Sequence, residues 1–308
     1  MNPNQPVPLK PHDYTSLGYL GLVSLALVFF GSRLPDRNWL LAGYLGYAAV
    51  ILLLVWLAAR FPRNRWAAFF RLGYPLLAIL FLYRGIEGHV LLWHGQFLDA
   101  QVAEWERSVL GAYPNLALES LVSRPLTEVL KFSYFSYYFY IALPPLLLFF
   151  LHRETEMEIF IFTASLTFYV SFVGFVLVPL EGPRYYFAQQ FRIPHLEGYF
   201  FSPLQDWLMS RAAARGACFP SSHLAVAWVS LFLVRRFFGS RPFWLILPLT
   251  VGMTFAIVYN RYHYAVDAVA GLFVGWACWH LSRWLLDRLA KRAPQNRSLR
   301  ANPAGQMP

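Results

Sequence analysis

The feature of this sequence that most limits its possible folds is a series of apolar segments, each long enough to cross a lipid bilayer. About eight segments of roughly 20 residues recur along the chain, and this is the length that a membrane helix needs. They cover residues 15–32, 39–59, 66–86, 132–152, 157–180, 219–238, 242–260 and 264–285. Because a backbone in contact with lipid must satisfy its hydrogen bonds internally, these segments predict an all-α integral membrane protein with multiple spans.

The composition agrees with this interpretation. Hydrophobic residues make up 57% of the chain and charged residues 14%, whereas a soluble domain is about 25% charged. The net charge of +10 is typical of a membrane protein whose basic loops face the cytoplasm and anionic lipid. We therefore expect the bilayer as a partner and no nucleic acid. The 2 cysteines, Cys218 and Cys278, are too few for a disulfide framework, and we interpret them as packing residues.

The segments around the spans suggest a division of the chain. We expect a polar N-terminal segment (1–14), N-terminal membrane helices (15–86), a larger membrane domain (87–285) and a basic disordered tail (286–308). Two long connections, about 87–131 and 181–218, interrupt the larger domain. The first contains FLDAQVAEWERSVLG, whose apolar period predicts a helix on the membrane surface, although a solvated connector is an alternative.

Positively charged side chains are unevenly distributed between the loops. Arginines occupy the short loops after the second, fourth and sixth spans and the segment after the eighth; they include Arg60, Arg63, Arg65, Arg153, Arg235, Arg236, Arg241 and Arg288. Because short loops rich in arginine and lysine stay in the cytoplasm, we predict that these loops are cytoplasmic. The two long connections then lie on the opposite, non-cytoplasmic side.

Polar residues at the ends of spans are the candidates for function. Arg184 follows the fifth span and His223 begins the sixth. Arg261, His263 and Asp267 lie between the seventh and eighth spans. The interval from His223 to His263 corresponds to two crossings of ~20 residues, so both histidines return to one face. A loop fills the interval from Arg184 to His223, which keeps Arg184 on the same non-cytoplasmic face.

These residue types fit the transfer of a phosphoryl group. Residues four apart on a helix are neighbours, so Asp267 can hold one imidazole nitrogen of His263 and leave the other as a nucleophile. His223 can give a proton to the leaving oxygen. A phosphate also needs positive charge and hydrogen-bond donors. The candidates for binding it are Arg184, Arg261, Ser221, Ser222 and the N–H groups that open the sixth helix.

Simpler interpretations are open for several of these residues. Arg184 and Arg261 can bind lipid head groups or cap helices, and Ser221 can be a helix N-cap. A metal site at His263 and Asp267 is an alternative, but two ligands are too few to hold an ion. We therefore expect neither a metal nor another cofactor.

The sequence resembles the phosphatidic acid phosphatase type 2 superfamily. CFPSSH is similar to its second motif, RYHYAVD to its third, and GPR to a reduced first motif. Within that superfamily the chain is similar to the inositolphosphorylceramide synthase-like branch, through the form His-Tyr-x-x-Asp and the stretch FLDAQVAEWERSVLGAYPN followed by YFSYYFY. Leu177 and Ile257 stand where the wider family has a lysine and an arginine.

The resemblance implies a six-helix catalytic core, a phosphohistidine intermediate and no metal. It makes residues 87–285 the catalytic domain, with His263 as the nucleophile. The expected function is a lipid phosphate phosphatase acting on a lipid phosphate or phospholipid, with its active site facing away from the cytoplasm. The alternative is a phosphotransferase that moves a phospho-head group to an alcohol. A non-catalytic membrane scaffold and a lipid transporter are less favoured.

Overall fold

The computed structural model describes residues 9–292, and every regular element in that range is helical. The α-helices are α1 (Pro11–Phe30), α2 (Arg37–Arg60), α3 (Arg65–Ile86), α4 (Asp99–Leu110), α5 (Pro114–Ala117), α6 (Arg124–Phe150), α7 (Glu154–Leu177), α8 (Pro183–Tyr186), α9 (Phe201–Ala212), α10 (Ser222–Phe238), α11 (Ser240–Tyr259) and α12 (Ala265–Arg292). The eight predicted spans correspond to the eight long helices. The shorter helices α4, α5, α8 and α9 lie in the two long connections.

Seven of the long helices in the described range are long and apolar enough to cross a bilayer. The eighth, α10, has 17 residues, which is short of the ~20 of a full crossing. It packs against α6, α7, α11 and α12, and Leu224, Ala225 and Val226 are fully buried. The all-α membrane fold is therefore confirmed, with α10 as an inner helix that other helices enclose.

Several helix boundaries differ from the predicted ones. Helix α1 begins at Pro11 and α6 at Arg124, each ahead of its predicted start, and each has a proline in its first turn, where proline is favoured. Helix α12 continues to Arg292, so the first residues of the predicted tail are helical. The rest of that tail and residues 1–8 lie outside the described residues.

Helix α7 lies beside α10 in the middle of the bundle. It packs against α1, α3, α6, α10 and α12, and 72% of its most apolar window is buried. A Cβ at Gly174 would lie 2.3 Å from Cδ of Pro220, and a Cβ at Gly271 would lie 2.6 Å from the carbonyl oxygen of Ser221. The two glycines therefore let α7 and α12 close on the segment that enters α10.

Loops that carry arginine meet at one end of the bundle. Arg65 donates a hydrogen bond to the carbonyl oxygen of Phe149 at 2.9 Å. Arg153 donates to the carbonyl oxygen of Phe237 at 3.0 Å. These bonds join the start of α3 to the end of α6, and the α6–α7 loop to the end of α10. The two long connections start and finish at the opposite ends of the same helices.

Helix α4 lies where the sequence predicted a helix in the first long connection. Asp99 lies on the inward side of this helix, since it is only 2% exposed. This carboxylate accepts hydrogen bonds from the backbone N–H groups of Glu181 and Gly182, at 2.9 and 3.0 Å. It also accepts the hydroxyl of Tyr264 at 2.8 Å. Helix α4 is thereby tied both to the second long connection and to the loop between α11 and α12.

Two further contacts hold the loop between α11 and α12. Glu106 accepts the N–H of Val266 at 2.8 Å, in the first turn of α12, where the helix dipole favours a carboxylate. Burial raises the pKa of the Glu106 carboxyl. The side-chain amide of Asn115 donates to the carbonyl oxygens of Val258 and His263, at 2.9 and 3.0 Å. The first connection thus fixes the course of the backbone around His263.

We expect Asp99→Asn to destabilise the protein. Asparagine keeps one acceptor oxygen and replaces the other with an NH₂ group, which would face the groups that now donate to the carboxylate. A hydrogen bond to a charged acceptor contributes about 1.5–3 kcal/mol, so the unfolding transition of the purified protein in detergent should move to a lower denaturant concentration. Glu104→Gln is the matched control, because Glu104 is exposed on the same helix and bonds to Arg107. An equal shift in both variants would contradict this role of Asp99.

Candidate active site

A cleft lies at the end of the bundle that carries the two long connections. Three of the residues selected from the sequence line it: Arg184, His223 and His263. They come from the second connection, the first turn of α10 and the loop before α12. The other lining residues are mostly aromatic or small: Tyr83, Tyr134, Glu181, Met209, Ala213, Ala214, Ala217, Cys218 and Tyr262. The structure therefore brings together residues that are far apart in the sequence.

His263 and Asp267 are in contact at the start of α12. Nδ1 of His263 lies 3.4 Å from Oδ2 of Asp267, and the side chains are 5% and 0% exposed. The spacing of four residues predicts one helix for both side chains, whereas α12 begins after His263, at Ala265. The same Asp267 oxygen accepts the N–H of Tyr264 at 2.9 Å. Asp267 therefore lies against the imidazole and also accepts a hydrogen bond in the turn that leads into the helix.

Cys218 is a member of this site that the sequence analysis missed, because it was interpreted as a packing residue. Its Sγ donates to Oδ2 of Asp267 at 2.9 Å and lies 3.5 Å from Nδ1 of His263. Burial, and then the Asp267 carboxylate, raise the pKa of the Cys218 thiol well above its ordinary value. The thiol is therefore a neutral hydrogen-bond donor. The sequence feature that points to Cys218 is its position as the first residue of CFPSSH.

His223 lies among aromatic rings. The ring centroids of Tyr83, Tyr134 and Tyr137 lie 5.7, 5.9 and 5.3 Å from its own. The centroid of the His263 ring lies 6.5 Å away. Three tyrosine rings and the second histidine thus surround the imidazole of His223.

The two serines of CFPSSH do not line the cleft. Ser221 is fully buried, and its hydroxyl accepts the N–H of Leu224 at 3.4 Å as the N-cap of α10. Its own N–H donates to the carbonyl oxygen of Asp267 at 3.1 Å. The hydroxyl of Ser222 lies 3.5 Å from Nδ1 of His223. The structure therefore supports the helix-cap interpretation of Ser221, and it places the hydroxyl of Ser222 beside the ring of His223.

The two arginines have different environments. Arg184 bonds to the hydroxyl of Tyr185 at 2.9 Å, and no carboxylate among residues 9–292 forms an ion pair with it. Arg261 is 5% exposed and donates to Glu119 and to the carbonyl oxygen of Ile193, at 2.9 and 2.7 Å. The structure brings Arg184 to the cleft and directs the guanidinium of Arg261 toward Glu119 of the first connection and Ile193 of the second.

The backbone joins the two arginine positions. Arg261 has a φ of 63°, which is unusual for a residue other than glycine, and its carbonyl oxygen accepts the N–H of Arg184 at 3.1 Å. Gly182 has a φ of 96°, and a Cβ there would lie 3.3 Å from Sγ of Cys218. These local conformations allow the GPR segment to pack directly against the loop that carries His263.

Comparison with known proteins identifies the family. A model of the PAP2 superfamily matches residues 100–281, a range that contains most of α4 and every residue of the cleft except Tyr83. No curated protein and no solved structure matches the chain. The matched range covers more than half of the sequence, so this chain belongs to the PAP2 superfamily, as an integral membrane protein with a lipid phosphatase or phosphotransferase type of activity.

Proposed function

We propose that the protein is a lipid phosphate phosphatase that works through a phosphohistidine on His263. The observation that carries the proposal is that His263, His223 and Arg184 line one cleft while Asp267 contacts His263 from behind. The set supplies a nucleophile, its orienting carboxylate, a proton donor and a positive charge. These are the groups that phosphoryl transfer needs when the protein contributes positioning and electrostatic stabilisation.

In the first step, Nε2 of His263 attacks phosphorus. The contact of Nδ1 with Asp267 keeps the imidazole proton on Nδ1 and the lone pair on Nε2. A nitrogen–phosphorus bond forms and the bond from phosphorus to the lipid oxygen breaks. His223 donates a proton to that oxygen, so the lipid leaves as an alcohol.

In the second step, water attacks the phosphohistidine. His223, now neutral, takes one proton from the water, the nitrogen–phosphorus bond breaks, and inorganic phosphate leaves. His263 and His223 return to their starting states. The same residue thus serves as acid and then as base, as microscopic reversibility requires.

Arg184 is the group that we assign to the phosphate oxygens. It lines the cleft, and its guanidinium has no carboxylate partner in the described part of the chain. The N-terminus of α10 adds the positive end of a helix dipole. Arg261 receives no phosphate contact in this mechanism, because its two terminal nitrogens donate to Glu119 and to backbone oxygens. Its part is to hold the loop before His263.

Transfer to an alcohol is the second candidate, and one observation favours it. The cleft has a free volume of about 30 Å³, enough for a water molecule or two, and Met209, Ala213 and Ala214 of the second connection form part of its wall. A narrow site limits the access of water to a phosphoenzyme, which a transferase requires. The resemblance to the inositolphosphorylceramide synthase-like branch points the same way.

Phosphate release without an added acceptor tests the proposed function. We expect the purified protein, in detergent and excess EDTA, to release phosphate from at least one monoester lipid, because arginine and helix amides provide the anion site. His263→Ala should release none, and only the enzyme with His263 should form an acid-labile, alkali-stable phosphoprotein.

Two results would contradict this prediction. A folded His263→Ala protein with substantial turnover would exclude the phosphohistidine. A wild-type enzyme that releases no phosphate from any monoester, yet moves a head group between two lipids, would make the protein a transferase.

The two arginines give a second prediction. We expect Arg184→Gln to lower kcat/KM by roughly 100- to 1,000-fold, the range found when one group that stabilises a developing oxyanion is removed. Its unfolding transition should stay close to that of the wild type. Arg261→Gln should lower the unfolding midpoint, because it leaves Glu119 without its partner, and the folded fraction should keep more activity than Arg184→Gln. The reverse ranking would assign the phosphate to Arg261.

We further propose that the cleft faces away from the cytoplasm. The loops that carry arginine lie at the end of the bundle opposite to the cleft, and such loops stay in the cytoplasm.

Labelling from outside the cell tests this orientation. A membrane-impermeant maleimide should react with His195→Cys in the exposed second connection in intact cells. Arg63→Cys, in the exposed α2–α3 loop, is the matched control and should react only after permeabilisation. The opposite pattern would reverse the proposed orientation.

A further inference from the structure

Three potential metal ligands meet beneath the cleft. Sγ of Cys218 lies 2.9 Å from Oδ2 of Asp267 and 3.5 Å from Nδ1 of His263, and these last two atoms are 3.4 Å apart. The three residues are buried. They come from two segments that other contacts already fix, the entry to α10 and the start of α12.

The size of this triangle fits a tetrahedral ion. Zinc binds sulfur at about 2.3 Å, and nitrogen and oxygen at about 2.0–2.2 Å, so adjacent ligands of a tetrahedral site are roughly 3.3–3.6 Å apart. The two distances to Nδ1 of His263 match that spacing. The distance between Cys218 and Asp267 is shorter because the thiol now donates a hydrogen bond, and the loss of that proton would let the two atoms separate.

Charge and bonding at Asp267 also favour a cation. A thiolate and a carboxylate carry two negative charges, which neutralise a divalent ion and so remove most of the cost of burying it. Oδ1 of Asp267 is buried and has no hydrogen-bond partner among the described residues. This second oxygen is therefore free to approach an ion bound at Oδ2.

We propose that Cys218, His263 and Asp267 bind one Zn²⁺ or a similar borderline divalent ion, and that the bound ion inhibits the enzyme. The Cys218 thiol loses its proton to solvent, Nδ1 of His263 gives its lone pair to the metal, and the imidazole proton resides on Nε2. A protonated Nε2 has no lone pair with which to attack phosphorus. The inhibition rests on the proposed function, whereas the binding does not.

The ligand set determines which ions bind. Thiolate and imidazole favour zinc and cobalt over magnesium, which prefers oxygen ligands. Cys218, His263 and Asp267 provide three of the four ligands of a tetrahedral ion, which leaves the fourth position for water or another small ligand. The site therefore has three protein ligands and one open position.

Cobalt titration of the purified, full-length protein tests binding without any turnover. We expect one Co²⁺ per chain, with a thiolate-to-cobalt charge-transfer band and the visible bands of a tetrahedral ion. Cys218→Ser should lose the charge-transfer band and weaken binding by at least about tenfold. Cys278→Ser is the matched control, because Cys278 is the other buried free cysteine and lies within α12, away from the cleft. It should behave as the wild type, and Cys218→Ala provides a second variant if the serine variant does not fold.

The second part of the test measures the inhibition of phosphate release by zinc. Zn²⁺ should inhibit the wild type and Cys278→Ser, an added chelator should reverse the inhibition, and Cys218→Ser should need at least about tenfold more zinc. No cobalt band in the wild type, or equal zinc sensitivity in Cys218→Ser, would overturn the proposal. Activation by zinc would overturn its inhibitory part. A cobalt band with no phosphate release under any condition would leave the metal site standing and reject the proposed function.

Discussion

The carboxylate of Asp267 is the point on which this site depends. Its Oδ2 accepts the N–H of Tyr264 and the thiol of Cys218 and lies against Nδ1 of His263. Its backbone carbonyl accepts the N–H of Ser221. One buried residue thus joins the start of α12 to the entry of α10 and holds the imidazole between them. Removing one partner of such a network leaves other buried polar groups without hydrogen bonds, which destabilises the folded state.

The first long connection stabilises this arrangement from outside the bundle. Asp99, Glu106 and Asn115 bond to the backbone or side chains of the loops that carry the GPR segment and His263. Helix ends and loops expose polar backbone groups that must be paired when they are buried. Helix α4 supplies those partners, so a helix in a connection becomes part of the frame that positions the proposed nucleophile.

Cys218 gives the site a second chemistry in the proposal made above. With its proton, the thiol donates a hydrogen bond to Asp267, and His263 keeps the orientation that we propose for its attack on phosphorus. In the metal site that we propose, the thiol has lost that proton and the ion is bound through the nitrogen of His263 that faces Asp267. Phosphoryl transfer and metal binding would then compete for one imidazole, and a change in metal concentration could switch the enzyme off without altering the fold.

The sequence by itself determined the eight long helices, because seven of them are apolar segments of the length that a bilayer requires and the eighth, α10, is a shorter apolar segment that the others enclose. It also selected His223, His263 and Asp267, because motif spacing and membrane crossings bring those positions to one end of the bundle. Only the tertiary structure decided which side chains meet. The partner of Arg261, Glu119, is 142 residues away, and no period of a helix relates them. The contact of Cys218 with Asp267 and the tie of Asp99 to Tyr264 likewise depend on how separate segments pack, and local spacing carries no information about that.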